Sequence, residues 1–75
     1  MRRWPFGPRY PVCRTVIVNL KSGRAFRGVL WARRAGFLVL RNAEALPGGG
    51  KAAPVDGELA VPEGNVDFLQ VVSAP

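Results

Sequence analysis

The segment VNLKSGRAFRGVL, residues 18–30, carries the strongest structural signal in the chain. Apolar and polar residues alternate up to Leu20, which is the period of two that a half-buried strand needs. Residues 21–23 (KSG) have the composition of a tight turn, because glycine adopts positive φ without strain. Alternation resumes at Phe26, and Gly28 lies inside the second strand, where glycine marks a bend or a bulge. The segment therefore predicts a β-hairpin with a sharply bent second strand.

The same patterns, followed outward from this hairpin, predict an all-β domain without helices. The predicted strands are Arg14–Leu20, Arg24–Ala32, Phe37–Asn42, Gly57–Val61 and Val66–Val72. Turns are predicted at 33–36 and 62–65, and a long irregular loop rich in glycine and proline is predicted at 43–55. A short five-stranded sheet with one strongly bent strand curls into an open, SH3-like barrel.

The first thirteen residues differ in composition from the rest of the chain. Pro5, Pro8 and Pro11 recur every third residue, a spacing typical of an extended polyproline segment. We therefore predict an extended arm at 1–13 and a barrel domain at 14–75. The side chains of the arm that suit protein contacts are Arg2, Arg3, Trp4, Phe6, Arg9 and Tyr10. The arm would either dock on a neighbour or pack on its own domain, and the sequence leaves both open.

Positive charge is concentrated in the first half of the chain. Residues 1–41 hold ten of the eleven Lys and Arg and no acid, whereas residues 42–75 hold Lys51 and all five acids. With a net charge of +6, this asymmetry favours a basic face that meets phosphate or an acidic partner. A solvated surface in a protein encoded by a GC-rich genome explains it equally well.

The composition argues against catalysis and against bound cofactors. The chain has no His and one Cys, and its acids are not clustered, so nothing supplies a general base or a zinc site. Cys13 is interpreted as a small buried apolar residue. No apolar run reaches the length of a membrane span or a signal peptide, so we expect a soluble cytoplasmic protein. A core of this size gains stability from oligomerisation.

Five positions of the first hairpin resemble the first Sm motif: Leu20, Gly23, Phe26, Gly28 and Leu30. The pattern continues through LVLRNAE at 38–44, and ELAV at 58–61 with NVDFL at 65–69 resembles the second motif. Over about residues 14–72 the chain is therefore similar to the Sm-like (LSm-type) family of small β-barrels. The resemblance implies a homo-oligomeric ring in which the fourth strand of one subunit pairs with the fifth strand of the next. It also implies RNA binding near the pore, at the turns after the second and fourth strands.

The chain departs from the family pattern at both of these turns. Arg34 falls near the place of the family's Asp, and no Asn precedes Leu38. Pro62-Glu63 stands where the family commonly has Arg-Gly. The base-recognising pocket of the family is therefore predicted to be absent. The chain also resembles uncharacterised products of phages that infect GC-rich bacteria, which would place it in a host cytoplasm but implies no function.

Two non-catalytic functions remain open. The first is binding of RNA or single-stranded nucleic acid, with low sequence specificity, through a basic face. Its candidate residues are Lys21, Arg24, Arg27, Trp31, Arg33 and Arg34. Trp31 would offer a stacking surface there, or it would belong to an interface or to the core. The second function is an oligomeric scaffold or phage-type connector that uses the arm for protein contacts.

Overall fold

The computed structural model describes residues 13–47 and 51–72, so the predictions for the arm at 1–12 lie outside the described residues. The strands are β1 (Thr15–Leu20), β2 (Ala25–Arg34), β3 (Phe37–Leu46), β4 (Ala53–Pro54), β5 (Leu59–Pro62) and β6 (Val66–Val71). A single 3-10 turn, Glu63–Asn65, is the only helical element among the described residues. The all-β prediction is confirmed.

The strands form one strongly bent antiparallel sheet. Its order is β4-β3-β2-β1-β6, and β5 pairs with β3 beside β4. Within the described residues, β5 pairs only with β3 and β6 pairs only with β1. The sheet therefore curls into an open barrel with two free edges, one along β5 and one along β6.

The bend in β2 lies at Gly28, as its position inside the strand predicts. The register of β2 on β3 shifts there, because Asn42 and Ala43 both fall opposite Gly28 in a bulge. A Cβ atom at Gly28 would lie 3.0 Å from the Cα of Ala43 and 3.1 Å from the carbonyl oxygen of Arg41. Only glycine lets the two strands approach this closely.

Gly28→Ala is therefore expected to destabilise the barrel by about 1–3 kcal/mol, the usual cost of forcing an extra methyl group into a packed site. Gly64→Ala is the matched control, because a Cβ atom there meets nothing within 4 Å. It should leave stability within about 0.5 kcal/mol of the wild type. Urea unfolding at one fixed protein concentration measures both variants, since assembly adds to apparent stability. Equal stabilities for the two variants would contradict the close approach at Gly28.

The core is small and entirely apolar. Within 13–47 and 51–72 no polar or charged residue is buried. The buried hydrophobic residues come from five strands and are Val16, Val18, Phe26, Leu30, Leu38, Leu40, Ala43, Val61, Val66 and Leu69. The alternation of the first hairpin thus predicts its core positions correctly.

The predicted loop over 43–55 is wrong at both of its ends. Strand β3 continues to Leu46, and its residue Ala45 pairs with Phe26 of β2. On the other side of β3, residues 53–54 form β4 and pair with Glu44 and Ala45. The loop was predicted from glycines and prolines, but these lie beyond Leu46 or at an edge strand where proline is tolerated. Residues 43–46 extend because the long β2 gives them a hydrogen-bonding partner, a tertiary effect that local composition does not contain.

The predicted turn over 33–36 is also too long. Arg33 and Arg34 belong to β2, and the turn consists of Ala35 and Gly36 alone, with φ of 52° and 82°. Two positive φ angles in a two-residue connection are typical of the hairpin turns whose twist matches the flanking strands. Arg34 consequently pairs with Phe37 across the end of the hairpin.

Strict alternation in the last strand is broken by a bulge. Val66 pairs with Leu20 and Phe68 pairs with Asn19, so Asp67 is an extra residue on β6. Val66 and Leu69 are therefore both buried, whereas Phe68, predicted to share a face with Val66, is 49% exposed.

Candidate nucleic-acid interface

Three turns meet at one end of the barrel. They are residues 21–24 between β1 and β2, residues 35–36 between β2 and β3, and the 3-10 turn at 63–65. The amide of Glu63 donates to the carbonyl oxygen of Gly36, and the amide of Lys21 donates to that of Asn65, both at 2.9 Å. The 3-10 turn thus bridges the two hairpins. We call this surface, formed by residues 21–24, 33–37 and 62–65, the three-turn end.

Arg33 and Glu63 link two of these turns through their side chains. The Nε of Arg33 donates to Oε2 of Glu63 at 2.7 Å, and the side chain of Glu63 is only 15% exposed. A charge-assisted hydrogen bond of this length adds to the backbone contact between Glu63 and Gly36. Arg33, which the sequence predicts as a nucleic-acid contact, therefore also links two turns of the barrel through its ion pair with Glu63.

Two further arginines have carboxylate partners on the surface of the sheet. Arg27 lies 3.7 Å from Glu44, and Nε of Arg41 donates to Glu58 at 2.8 Å. Arg41 was not among the predicted site residues. Its outward position on β3 follows from the alternation with buried Leu40, but its partner lies 17 residues away in sequence. Much of the positive charge of the barrel is therefore compensated locally.

Lys21, Arg24 and Arg34 have no carboxylate within ion-pair distance in the part of the chain that the structure describes. Lys21 and Arg34 lie on the three-turn end, where Arg34 pairs across the end of the hairpin with Phe37, whose ring is exposed. Phe37 was not predicted as a site residue, because it begins the apolar run of residues 37–40. The three-turn end thus combines uncompensated cations with an aromatic ring, a combination suited to a single strand of nucleic acid.

Arg24 faces a second environment. Its guanidinium lies 5.1 Å from the centre of the Phe26 ring. Together with Lys51 it also lines a groove of about 260 Å³ between the first hairpin and the end of β3. Arg24 therefore lies at the edge of the three-turn end, next to this groove.

The shape of the barrel can be compared with solved structures. The crystal structure of the P. aerophilum SmAP1 heptamer matches with a TM-score of 0.73 and 26% identity, over 84% of this chain and 84% of that chain. The crystal structure of a heptameric archaeal Sm protein matches with a TM-score of 0.73 and 27% identity, over 83% of this chain and 90% of that one. The barrel has the Sm-like fold.

A third match comes from a protein complex. A chain in the crystal structure of the NatC complex bound to CoA matches this Sm-like chain with a TM-score of 0.70 and 27% identity, over 81% of this chain and 78% of that one. No protein-family model matches the sequence, and no curated protein matches it significantly. The three structures give no support to a phage origin.

Trp31 of this Sm-like chain lies on the outer surface of the sheet and is 43% exposed, which excludes the core interpretation. The register of β2 on β3 shifts between Leu30 and Ala32, so Trp31 occupies a second bulge. The guanidinium of Arg41 lies 3.9 Å from the centre of its ring, within the range of a cation–π contact. The predicted neighbours Arg27 and Arg33 are instead held by Glu44 and Glu63.

Cys13 is exposed, so its predicted burial is wrong. The chain adopts φ of 64° at Cys13, which turns it away from the line of β1 and leaves the thiol outside the core. The described residues contain no cluster of His, Cys, Asp or Glu that would hold a metal ion. They also contain no helix long and apolar enough to cross a membrane.

Proposed function

We propose that this Sm-like chain assembles into a closed homo-oligomeric ring and binds RNA or single-stranded nucleic acid, without catalysis, through its three-turn end. The observation that carries the proposal is the meeting of three turns around Lys21 and Arg34, neither of which has a carboxylate partner among the described residues. Assembly would repeat these cations once per subunit.

The free edges of the sheet support assembly. The amide of Val72 donates to Thr15, so by the alternation of antiparallel pairing the amide and carbonyl of Val71 point away from β1. The amide of Glu63 donates to Gly36, so by the same rule the backbone groups of Ala60 on β5 point away from β3. Pairing of β5 in one subunit with β6 in the next would satisfy both edges and, with a suitable rotation, close a ring.

Apolar surface beside the edge supports the same arrangement. Phe68 lies on β6 and is 49% exposed, although it is among the largest apolar side chains of the barrel. Burial of such a ring in a subunit contact stabilises the contact by removing apolar area from water. The two archaeal structures that match this chain are heptamers, which also favours a closed assembly.

Charge supports nucleic acid as the ligand. The chain carries eleven Lys and Arg and five Asp and Glu, a net charge of +6. Repetition around a ring turns this modest charge into a positive annulus that attracts phosphate. Base specificity is not expected, because Pro62 has no amide to donate and Glu63 is engaged by Arg33.

Oligo-U and oligo-A of equal length should compete equally well, within about threefold, for protein bound to a labelled mixed-sequence RNA, because phosphate contacts carry no sequence information. Fluorescence anisotropy at fixed salt measures the competition. A large advantage for oligo-U would show that a base-recognising pocket exists after all. No binding of any oligonucleotide, even at low salt, would refute the proposed function.

A structural role in a protein assembly is the second candidate. It is favoured by the pairing of Arg27, Arg33 and Arg41 with carboxylates, which leaves less charge for phosphate. It is also favoured by the similarity to a chain of the NatC complex, in which such a barrel is part of a larger protein assembly. A protein that assembles into an oligomer but binds no oligonucleotide would support this candidate over the first.

A further inference from the structure

Trp31 lies in a preorganised cluster on the outer face of β2 and β3. The guanidinium of Arg41 lies 3.9 Å from the ring centre, and Nε of Arg41 donates to Oε2 of Glu58 at 2.8 Å. The ring is 43% exposed and the Glu58 side chain is 50% exposed. Trp31 lies at a bulge of β2, a feature that is common beside functional sites. The cluster thus offers a fixed aromatic surface beside a carboxylate.

The start of the described chain lies next to this cluster. The amide of Cys13 donates to the carbonyl oxygen of Leu30 at 2.6 Å, and the amide of Leu30 donates to that of Arg14 at 2.9 Å. Leu30 immediately precedes Trp31. Twelve residues come before Cys13, and at ~3.1 Å per residue an extended polyproline segment of that length spans ~37 Å. Because Cys13 is bonded to the residue before Trp31, a segment of this length is long enough to cover Trp31.

The composition of that segment suits the cluster. Pro5, Pro8 and Pro11 recur at the three-residue period of a polyproline helix, and the segment carries three arginines and no acid. Polyproline segments dock against exposed aromatic rings at little entropic cost, because their conformation is already restricted. Glu58 offers a carboxylate for an arginine beside the ring.

From these observations we infer that the Trp31–Arg41–Glu58 cluster is the docking site of the proline-rich segment, residues 1–12, of the same chain. The segment is joined by the peptide chain to Cys13, which is bonded to Leu30 beside Trp31. Its effective concentration at Trp31 is therefore high, which favours docking within one chain over docking on a neighbouring subunit. This contact is independent of nucleic-acid binding and goes beyond the proposed function.

Quenching of Trp31 fluorescence by acrylamide tests the inference in the full chain. Trp4→Phe leaves Trp31 as the only tryptophan and keeps an aromatic ring in the segment. In this background, replacing Pro5, Pro8 and Pro11 with Ser should raise the quenching constant about twofold, as expected when a packed ring face becomes accessible. Gly7→Ser is the matched control, because it changes the same segment without removing a proline, and it should leave the constant unchanged.

Two results would overturn the inference. An unchanged quenching constant in the triple proline variant, with a native circular dichroism spectrum, would show that the segment does not cover Trp31. Protection of Trp31 that disappears on dilution to the monomer would place the segment on a neighbouring subunit instead. Protection that persists on dilution and is lost in the proline variant supports docking within one chain.

Discussion

Val71→Pro should convert the assembled protein into monomers. The amide of Val71 points away from β1, toward the free edge that would pair with β5 of the next subunit. Proline removes this donor and places its ring at the edge, which blocks strand addition but is tolerated in an edge strand. We expect the assembly to be lost at micromolar concentration while the barrel stays folded. Sedimentation velocity measures the size, and circular dichroism confirms the fold.

Val71→Ala is the control for this change. Val71 packs partly against the core, so both variants lose its branched side chain, but alanine keeps the amide. The alanine variant should remain assembled, with at most a modest loss of stability. Dissociation of both variants to the same extent would mean that the side chain, and not the edge amide, holds the subunits together.

The double substitution Lys21→Ala with Arg34→Ala should weaken binding of every oligonucleotide by about tenfold or more, because both charges would face the phosphate backbone in each subunit. The slope of log affinity against log salt should fall by about 0.7 for each phosphate contact removed from a single strand. Arg33 is left intact, since its loss would leave the largely buried Glu63 without its arginine and disturb the turns. A salt series with labelled mixed-sequence RNA measures both quantities.

Arg27→Ala with Lys51→Ala removes the same net charge from two residues that do not belong to the three-turn end. Arg27 is held near Glu44, and Lys51 lines the groove beside the first hairpin. This control should reduce affinity only slightly, through the general field of the protein. Equal losses in the two double variants would show that net charge, and not the three-turn end, determines binding.

The fold could be predicted largely from local patterns in the first hairpin. Alternation around Val16 and Val18 identifies the buried face of β1, and the position of Gly28 identifies the bend. The extension of β3 to Leu46 could not be predicted in this way. It depends on a partner strand that lies far away in sequence. The bulge at Asp67 likewise depends on how β6 meets β1.

The candidate site could be predicted less completely. The sequence places Lys21 and Arg34 near turns, but it does not show which arginines are compensated. Arg33 and Glu63 are 30 residues apart, and the contact between them depends on the closure of the barrel. The exposure of Phe37 could not be predicted either, because residues 37–40 are all apolar and only the position at the end of the hairpin leaves the ring in solvent.

The native mass of the purified chain tests the central claim, a closed ring built by edge pairing, most directly. Native mass spectrometry at micromolar concentration should give one discrete species whose mass is a whole multiple of the 8.1 kDa chain. The size should stay the same as concentration rises, because a closed ring has no edge left to extend. A species at 8.1 kDa alone, or a ladder of sizes that lengthens with concentration, would contradict the ring.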